Sequence, residues 1–418
     1  MDILDDLQYR SLIYQVSNKA ELKKLLKKRI VLYCGFDPTA GSLHIGNLLL
    51  LLTLKRFQKQ GYQPIVLLGG ATGLIGDPSE KTEERKLNSP ETVKRWGKEI
   101  EKQLKNLFDF KKKKNSALLL NNYNWIGKEN LISFLRDTGK YFTVPYMLAK
   151  ESIKKRLEIG ISLTEFSYMA LQAADFWHLF KKYDCQLQIG GSDQWGNITA
   201  GIDLIRKKEG KEVFGLTAPL ITRADGKKFG KTEQGTIWLD SRKTSPYQFY
   251  QFWVNVSDKD VINYLKYFTF LSSQQIDALE KKVKISPKKR EAQKVLAHEV
   301  TVLIHGKEKT KQAEKISQCL FYGRPQDLNK QELMMAFRDL PSVTIAKKKS
   351  IDLIDLLINA GAASSKRQAR EDLKNGTISL NGKMYQGGTK LVKKTDCLYN
   401  EYLLVKRGKR NYYLVSWK

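Results

Sequence analysis

Short apolar runs bounded by turn residues set the strongest limit on how this chain can fold. Arg29–Cys34 (RIVLYC) reads as a buried strand; it runs into the turn GFDPTAGS, and a further apolar run begins at Leu43. Gln63–Leu68 (QPIVLL) is a second strand and ends in GGATGLIGDPS. Ser116–Asn121 (SALLLN) is a third, and Cys185–Ile189 (CQLQI) a fourth. Strands of this kind, separated by helical stretches, imply a parallel sheet with helical crossovers. The expected class is α/β, with a Rossmann-like parallel-sheet domain at its centre.

The length, 418 residues, suits two or three domains. The sheet pattern fills residues 1–220. Residues 221–320 hold a lysine-rich loop and a helical stretch with the aromatic segments SPYQFYQFWVNV and KYFTFL. Residues 321–350, with Gly323, Pro325, Pro341 and the run Lys347–Lys349, read as a linker. A small α+β module is expected over 351–418. The longest apolar stretch, Leu48–Leu54, falls far short of the roughly 18–20 residues that a membrane span needs. The start, MDILDDLQYR, is acidic and carries no readable secretory or mitochondrial address. Cys34, Cys185, Cys319 and Cys397 are widely spaced, which argues against a zinc ribbon or disulfide scaffold and fits a reducing, cytoplasmic setting. No metal-ligating cluster is expected.

The net charge is +29, but 56 of the 73 basic residues are lysine, so the total alone says little. Its distribution says more. Residues 341–418 carry 16 basic and 6 acidic side chains, and the first 340 residues carry the remaining +19. A tail with about twice the charge density of the body suggests a polyanion partner, with nucleic acid foremost.

Two segments point to phosphate chemistry. In YCGFDPTAGSLHIGN a strand ends in a tight turn, and His44 is expected just inside the next helix, where free N–H groups and the helix dipole favour anions. Gly46 would let a nucleotide approach the backbone. KKFGKT, Lys227–Thr232, places two lysines three apart beside a threonine, a set that can clamp a polyphosphate as charge develops. No GxxxxGK[ST] loop is present, so a P-loop enzyme is excluded. HIGN near the start of the sheet and KFGKT after it resemble the HIGH and KMSKS motifs of class I aminoacyl-tRNA synthetases.

Two further segments suit a small polar ligand. In EFSYMALQAAD, Tyr168, Gln172 and Asp175 fall at i, i+4 and i+7, on one helical face. QIGGSDQWGN, Gln188–Asn197, follows a strand directly and sets Asp193 and Gln194 beside glycines, at the sheet edge where ligands bind.

In these segments and in Gly69–Arg85 the chain resembles the bacterial-type tyrosyl-tRNA synthetases, from about residue 30 to its end. Tryptophanyl enzymes share the fold and an HIGH-like motif but lack the tyrosine and aspartate pair. The resemblance implies that Tyr33 and Asp175 hydrogen-bond a substrate phenol, and that Asp77, Tyr168 and Gln172 hold its ammonium. Asp37 and Gln194 would lie near the amino acid or the forming adenylate. Gly191 and Asp193 would touch the ribose, with Gly46 and Asn47 nearby. Thr39 and His44 would stabilise the γ-phosphate in the transition state, and Lys81, Arg85, Lys228, Lys231 and Thr232 would close over pyrophosphate. It further implies the substrates L-tyrosine, ATP with Mg²⁺ and tRNA(Tyr), a role in protein biosynthesis, and a homodimer whose interface lies between about residues 110 and 165. One departure stands out: Asn47 replaces the motif's second histidine. An amide there can still hydrogen-bond a ribose oxygen. His178, His298 and His305 fall in no motif and are read as ordinary core or surface residues.

Residues 351–383 read as two short helices and a hairpin, with Lys366, Arg367 and Arg370 along one side. This module resembles one shared by a ribosomal small-subunit protein and pseudouridine synthases, which implies contact with tRNA. Lys150 and Arg206, Lys207 and Lys208 are further candidate tRNA contacts, near the acceptor stem. Two other classes compete. A nucleotidyltransferase without a tRNA step would not need the basic tail, and an RNA-binding protein that had lost catalysis would not need the phosphate-clamping residues.

Overall fold

The computed structural model describes residues 2–79, 87–111, 114–157, 160–222, 229–232, 235–322, 324–337, 342–345, 350–385, 387, 390–408 and 411–417. The chain divides into two compact units, Met1–Thr244 with Asn255–Ile304, and Ser245–Val254 with His305–Lys418.

The first unit carries a sheet of β1 (Gln15–Val16), β2 (Val31–Phe36), β3 (Gln63–Leu68), β4 (Leu118–Asn121), β5 (Cys185–Gly191) and β6 (Phe214–Ala218), in the order β1-β6-β5-β2-β3-β4. All neighbours are parallel except β1, which pairs antiparallel with β6. The expected α/β class and the four strands read from sequence are present, their ends shifted by a residue or two. From β2 the chain winds outwards to β3 and β4, then returns to place β5 and β6 on the other side. That reversal opens a crevice beyond the carboxyl ends of β2 and β5.

Three helices frame this crevice: α1 (Ile45–Lys59), α2 (Leu163–Tyr183) and α3 (Trp195–Glu209). Five of the six leucines of α1, Leu48, Leu49, Leu51, Leu52 and Leu54, are buried, so the run reads as a core helix. On the face of the sheet towards α2, Tyr33, Ile65 and Leu67 pack with Phe176 and Leu179.

The division drawn from sequence at 220, 320 and 350 differs from the observed one, for two physical reasons. The first is a buried arginine clip that ties residues 261–271 to the start of the chain. The helix Val261–Phe268 ends with carbonyls that no helical N–H can satisfy. Arg56 donates to the carbonyl oxygens of Thr269 (2.6 Å), Lys266 (3.2 Å) and Tyr267 (3.3 Å). Arg10 donates to those of Leu271 (2.6 Å), Lys266 (3.0 Å) and Thr269 (3.2 Å), and to Asp6 (2.8 Å). Burial, with Arg10 alongside, pushes the Arg56 guanidinium down to about 9.

The second reason is that the sheet of the second unit is apolar on both faces. It comprises β9 (Ser342–Ile345), β11 (Ile378–Leu380), β12 (Lys383–Met384), β14 (Tyr402–Arg407) and β15 (Asn411–Trp417), in the order β12-β11-β14-β15-β9, beside a separate pair of β10 (Ser350–Asp352) and β13 (Leu391–Lys393). Alternation along β14 and β15 sends Leu403, Val405, Val415 and Trp417 to one face, against α6 (Leu353–Asn359) and α7 (Lys366–Lys374). It sends Tyr402, Leu404 and Leu414 to the other, against α4 (Lys307–Phe321) and α5 (Lys330–Phe337). The stretch read as a linker therefore contributes α5 and β9 to this core. The β11–β12 hairpin turns at Asn381 and Gly382, both at positive φ, as a two-residue turn between twisted strands requires. Among the described residues no helix is long and apolar enough to cross a membrane.

Arg56→Met should leave the carbonyls at the end of Val261–Phe268 short of donors and lower stability by about 2–4 kcal/mol. A denaturant midpoint unchanged within error would show that the clip contributes nothing.

Candidate active site

The carboxyl ends of the central strands bring the sequence-nominated residues together. Asp37 and Thr39 follow β2, Asp77 lies beyond β3, and Gly191 ends β5 with Asp193 and Gln194 just beyond it. Tyr33 stands on β2 itself, and Tyr168, Gln172 and Asp175 line one side of α2.

At the deep end, Asp175 is 2% exposed and both carboxylate oxygens are engaged. Asn122 Nδ2 donates to one oxygen at 2.8 Å and Trp125 Nε1 to the other at 2.7 Å. Burial pushes the carboxyl up to about 7 against the pull of these two donors, with Asp37 adding a smaller push in the same direction. The Tyr33 ring packs on Phe176 at 5.3 Å, and its hydroxyl is buried with no hydrogen-bond partner among the described residues. Burial, then the nearby Asp175 charge, holds this phenol well above its ordinary range.

From Asp175 the hydrogen bonds run outward. Asn122 Nδ2 also donates to Thr72 Oγ1 (3.0 Å), and Thr72 Oγ1 donates to Asp37 Oδ1 (2.7 Å). Tyr168 Oη donates to the other Asp37 oxygen at 2.8 Å. Burial, followed by Asp37 and Asp77, raises the Tyr168 phenol well above its usual value. A Cβ on Gly69 would fall 1.8 Å from Asp37 Oδ1 and 2.4 Å from Thr72 Oγ1, so only glycine fits there. A second strand of the network joins Gln194 Nε2 to Asp77 (2.6 Å) and Asp193 (2.8 Å). Gln172 sits half-buried on α2. Thr72, Asn122 and Trp125 were not nominated from sequence. Their signal was positional, since all three lie just beyond β3 or β4, where the ligand edge of a parallel sheet falls.

At the other side of the crevice, His44 is the N-cap of α1 rather than its first helical residue. Its Nδ1 accepts from the Gly46 N–H at 3.0 Å, and Asn47 Oδ1 accepts from the His44 N–H at 3.1 Å, closing a capping box. Nδ1 as acceptor assigns the proton to Nε2 in the neutral ring. The KFGKT loop reaches this same point through its backbone. Ile45 N–H donates to the Ile237 carbonyl (3.1 Å), Ile237 N–H to the Gly230 carbonyl (3.1 Å), and Leu239 N–H to the Leu43 carbonyl (2.9 Å). Lys231 and Thr232 form β7, paired with β8 (Gly235–Thr236). Lys81, Arg85 and Lys228 lie outside the described residues. Thr39 is exposed at the rim. Among the described residues no group of three or more His, Cys, Asp or Glu side chains could hold a metal ion.

The basic residues nominated for RNA fall into two sets. Lys150 is partly buried, donates to Thr199 Oγ1 at 3.1 Å and lies over the Tyr146 ring; burial lowers its ammonium pKa. Lys207 pairs with Asp203 (2.6 Å) and donates to the Tyr141 carbonyl, Lys208 donates to the Asp137 carbonyl and stacks 3.6 Å from the Trp177 ring centre, and Arg206 pairs with Asp203. These lysines bind the segment 137–146 onto α3. Arg367 and Arg370 are exposed at the start of α7, and Lys366 there pairs with Asp355 at 3.0 Å.

The folded carboxyl of Asp175 lies above its unfolded value of ~3.9, so between the two the native chain holds a proton that the unfolded chain has released. Its contribution favours folding at acid pH and is lost as pH rises to about 7. Infrared titration of this carboxyl should inflect near 7, and Trp125→Phe, which removes a donor, should move the inflection higher. An unmoved or lower inflection would contradict the assignment.

Residues 24–322 match the model of a family described as tRNA synthetases class I (W and Y). Residues 332–415 match that of the tyrosine–tRNA ligase SYY-like C-terminal domain. Among curated proteins the chain is 55% identical to a tyrosine–tRNA ligase of Bacillus caldotenax and 52% identical to tyrosine–tRNA ligase 1 of Bacillus subtilis, in each case with the whole of both chains covered. Among solved structures it is similar to a C-terminally truncated mitochondrial tyrosyl-tRNA synthetase of Aspergillus nidulans, with a TM-score of 0.70, 33% identity, and coverage of 77% of this chain and 94% of that one.

Proposed function

The chain belongs to the class I tRNA synthetases of the tryptophan and tyrosine group, and within that family we propose that it is a tyrosine–tRNA ligase. It joins L-tyrosine to ATP as tyrosyl-adenylate with release of pyrophosphate, then passes the tyrosyl group to the 3′-terminal ribose of tRNA(Tyr) with release of AMP. The observation that carries the choice of tyrosine is the buried pair at the deep end of the crevice. Among the described residues the Tyr33 hydroxyl has no hydrogen-bond partner, and the nearby Asp175 is a buried carboxylate acceptor. A phenol satisfies both, donating to Asp175 and accepting from Tyr33. A phenyl group offers neither contact and leaves the buried Tyr33 hydroxyl without a partner, at a cost of roughly 1–3 kcal/mol.

The remaining residues divide the work by chemistry. Asp77, Tyr168 and Gln172 supply oxygens for the ammonium, with Asp37 and Gln194 beside the reacting carboxylate. That carboxylate is already ionised at neutral pH and needs no general base to attack the α-phosphorus. The barrier then lies in positioning and in charge that gathers on pyrophosphate. His44 Nε2–H and Thr39 would meet the γ-phosphate, Lys81, Arg85, Lys228 and Lys231 would neutralise the leaving group, and Thr232 would hydrogen-bond to it. Gly46, Asn47, Gly191 and Asp193 would border the nucleoside. Magnesium belongs to this proposal as part of the nucleotide substrate.

The same reading includes a homodimer and a cytoplasmic setting. Leu131, Ile132, Leu135 and Val144 expose apolar side chains within 110–165, a patch that a second copy would cover. All four cysteines are free and buried, as a reducing compartment favours. Lys366, Arg367 and Arg370 are the proposed tRNA contacts of the second unit.

Amino-acid-dependent ATP–pyrophosphate exchange with tyrosine, phenylalanine and tryptophan in parallel tests the activity. Exchange with tyrosine is expected, and Asp175→Ala should lower it about ten- to hundredfold while the fold persists. Exchange with tryptophan in place of tyrosine would overturn the specificity. For the RNA step, Arg367→Ala with Arg370→Ala should raise the KM for tRNA and flatten its salt dependence, with exchange unchanged. Unchanged charging at all salt concentrations would remove these arginines from the interface.

A further inference from the structure

The Trp125 indole is held on two sides by one helix. Its Nε1–H donates to Asp175 Oδ1 at 2.7 Å. Its face lies flat on the imidazole of His178, with ring centres 4.3 Å apart and planes 7° from parallel. Asp175 and His178 stand three apart on α2, so they share a face and clasp the ring between a directional bond and a stack. The segment that carries Trp125 consists of two short 3₁₀ turns, Asn122–Asn124 and Ile126–Lys128, and short turns of this type hold a side chain poorly by themselves.

A donor to Asp175 acts only if its hydrogen points at the carboxylate. Indole offers one N–H in the ring plane, so rotation about either side-chain torsion swings that hydrogen away. The stack on His178 restricts the plane of the ring, and the hydrogen bond fixes its rotation within that plane. Burial, with Lys182 one turn further along α2, lowers the His178 pKa, so the ring is neutral near pH 7 and stacks as a flat aromatic.

Building on the tyrosine–tRNA ligase reading, we propose that His178 is a positioning residue for amino-acid recognition: by stacking on Trp125 it aims the indole N–H at Asp175 and so holds the carboxylate ready for the substrate phenol. In this arrangement His178 acts through the indole on which it stacks. A histidine outside every motif thereby gains a role in specificity.

Tyrosine-dependent pyrophosphate exchange by the full-length protein separates the two levels of inference. Absence of exchange in the wild type with tyrosine would refute the ligase reading itself. Given exchange, His178→Ala should raise the KM for tyrosine about three- to tenfold, a range set by the worth of one aromatic stack, and leave kcat within about twofold. The KM for ATP should stay unchanged. His178→Phe restores a flat ring and should return the KM for tyrosine to within about twofold of wild type. An unchanged KM for tyrosine in His178→Ala would overturn the proposal. So would equal losses in both variants, or a fall in kcat with the KM for ATP rising in parallel, since those are the marks of a general packing defect.

Discussion

The organisation of the catalytic unit depends on one buried carboxylate. Asp175 lies in apolar surroundings that raise its pKa to about 7, so its charge is tolerated only with donors close at hand. Asn122 and Trp125 supply them, and both come from the end of β4. Asn122 is fixed in turn by Thr72 and by the Ala71 N–H beyond β3, and Thr72 is bonded to Asp37 beyond β2. Satisfying one acid thus pins the carboxyl ends of three strands to α2. The same bonds fix Tyr168 against Asp37, so one network satisfies the buried acid and also holds the side chains proposed for the substrate ammonium.

Much of this unit was legible in the sequence because a parallel sheet writes itself as apolar runs with glycine-rich ends. The residues on those ends, from Asp37 to Gln194, carry side chains whose chemistry is specific enough to nominate directly. Asn122 and Trp125 were missed because they act by bonding to a nominated residue, and nothing in NNYNW distinguishes that task from an ordinary turn. His44 was read one position too deep because HIGN fits a helix start equally well whether the imidazole caps it or follows it. The arginine clip was invisible for another reason. Arg10 and Arg56 meet carbonyls some 210 to 260 residues away, and backbone acceptors leave no mark in a sequence.

The C-terminal boundary was misplaced by a related limit. Gly323, Pro325, Pro341 and three consecutive lysines look like a tether, and composition cannot reveal that β14 and β15 bury both of their faces. Leu404 and Leu414 need α4 and α5 as much as Leu403 and Val415 need α6 and α7. A cut at residue 351 would therefore strip strands from the core that holds residues 307–337. The positive charge divides along similar lines. Lys207 and Lys208 spend their ammonium groups on carbonyls and aromatic faces inside the first unit, whereas Arg367 and Arg370 remain exposed on α7.

The start of α1 shows how a substitution in a motif can be absorbed by local geometry. A helix N-terminus must find acceptors for its leading N–H groups, and here the His44 ring serves Gly46 while the Asn47 amide serves His44. Glycine between them leaves the imidazole room, since a Cβ at position 46 would lie 2.8 Å from His44 Cε1 and push the ring off its cap position. With Nδ1 committed as an acceptor, Nε2 carries the proton and is the nitrogen that can donate to a phosphate oxygen. Asn47 keeps this arrangement by accepting through Oδ1, which leaves its Nδ2 hydrogens as the donors suited to a ribose oxygen. An asparagine at this position therefore preserves the cap and keeps a hydrogen-bond donor beside it.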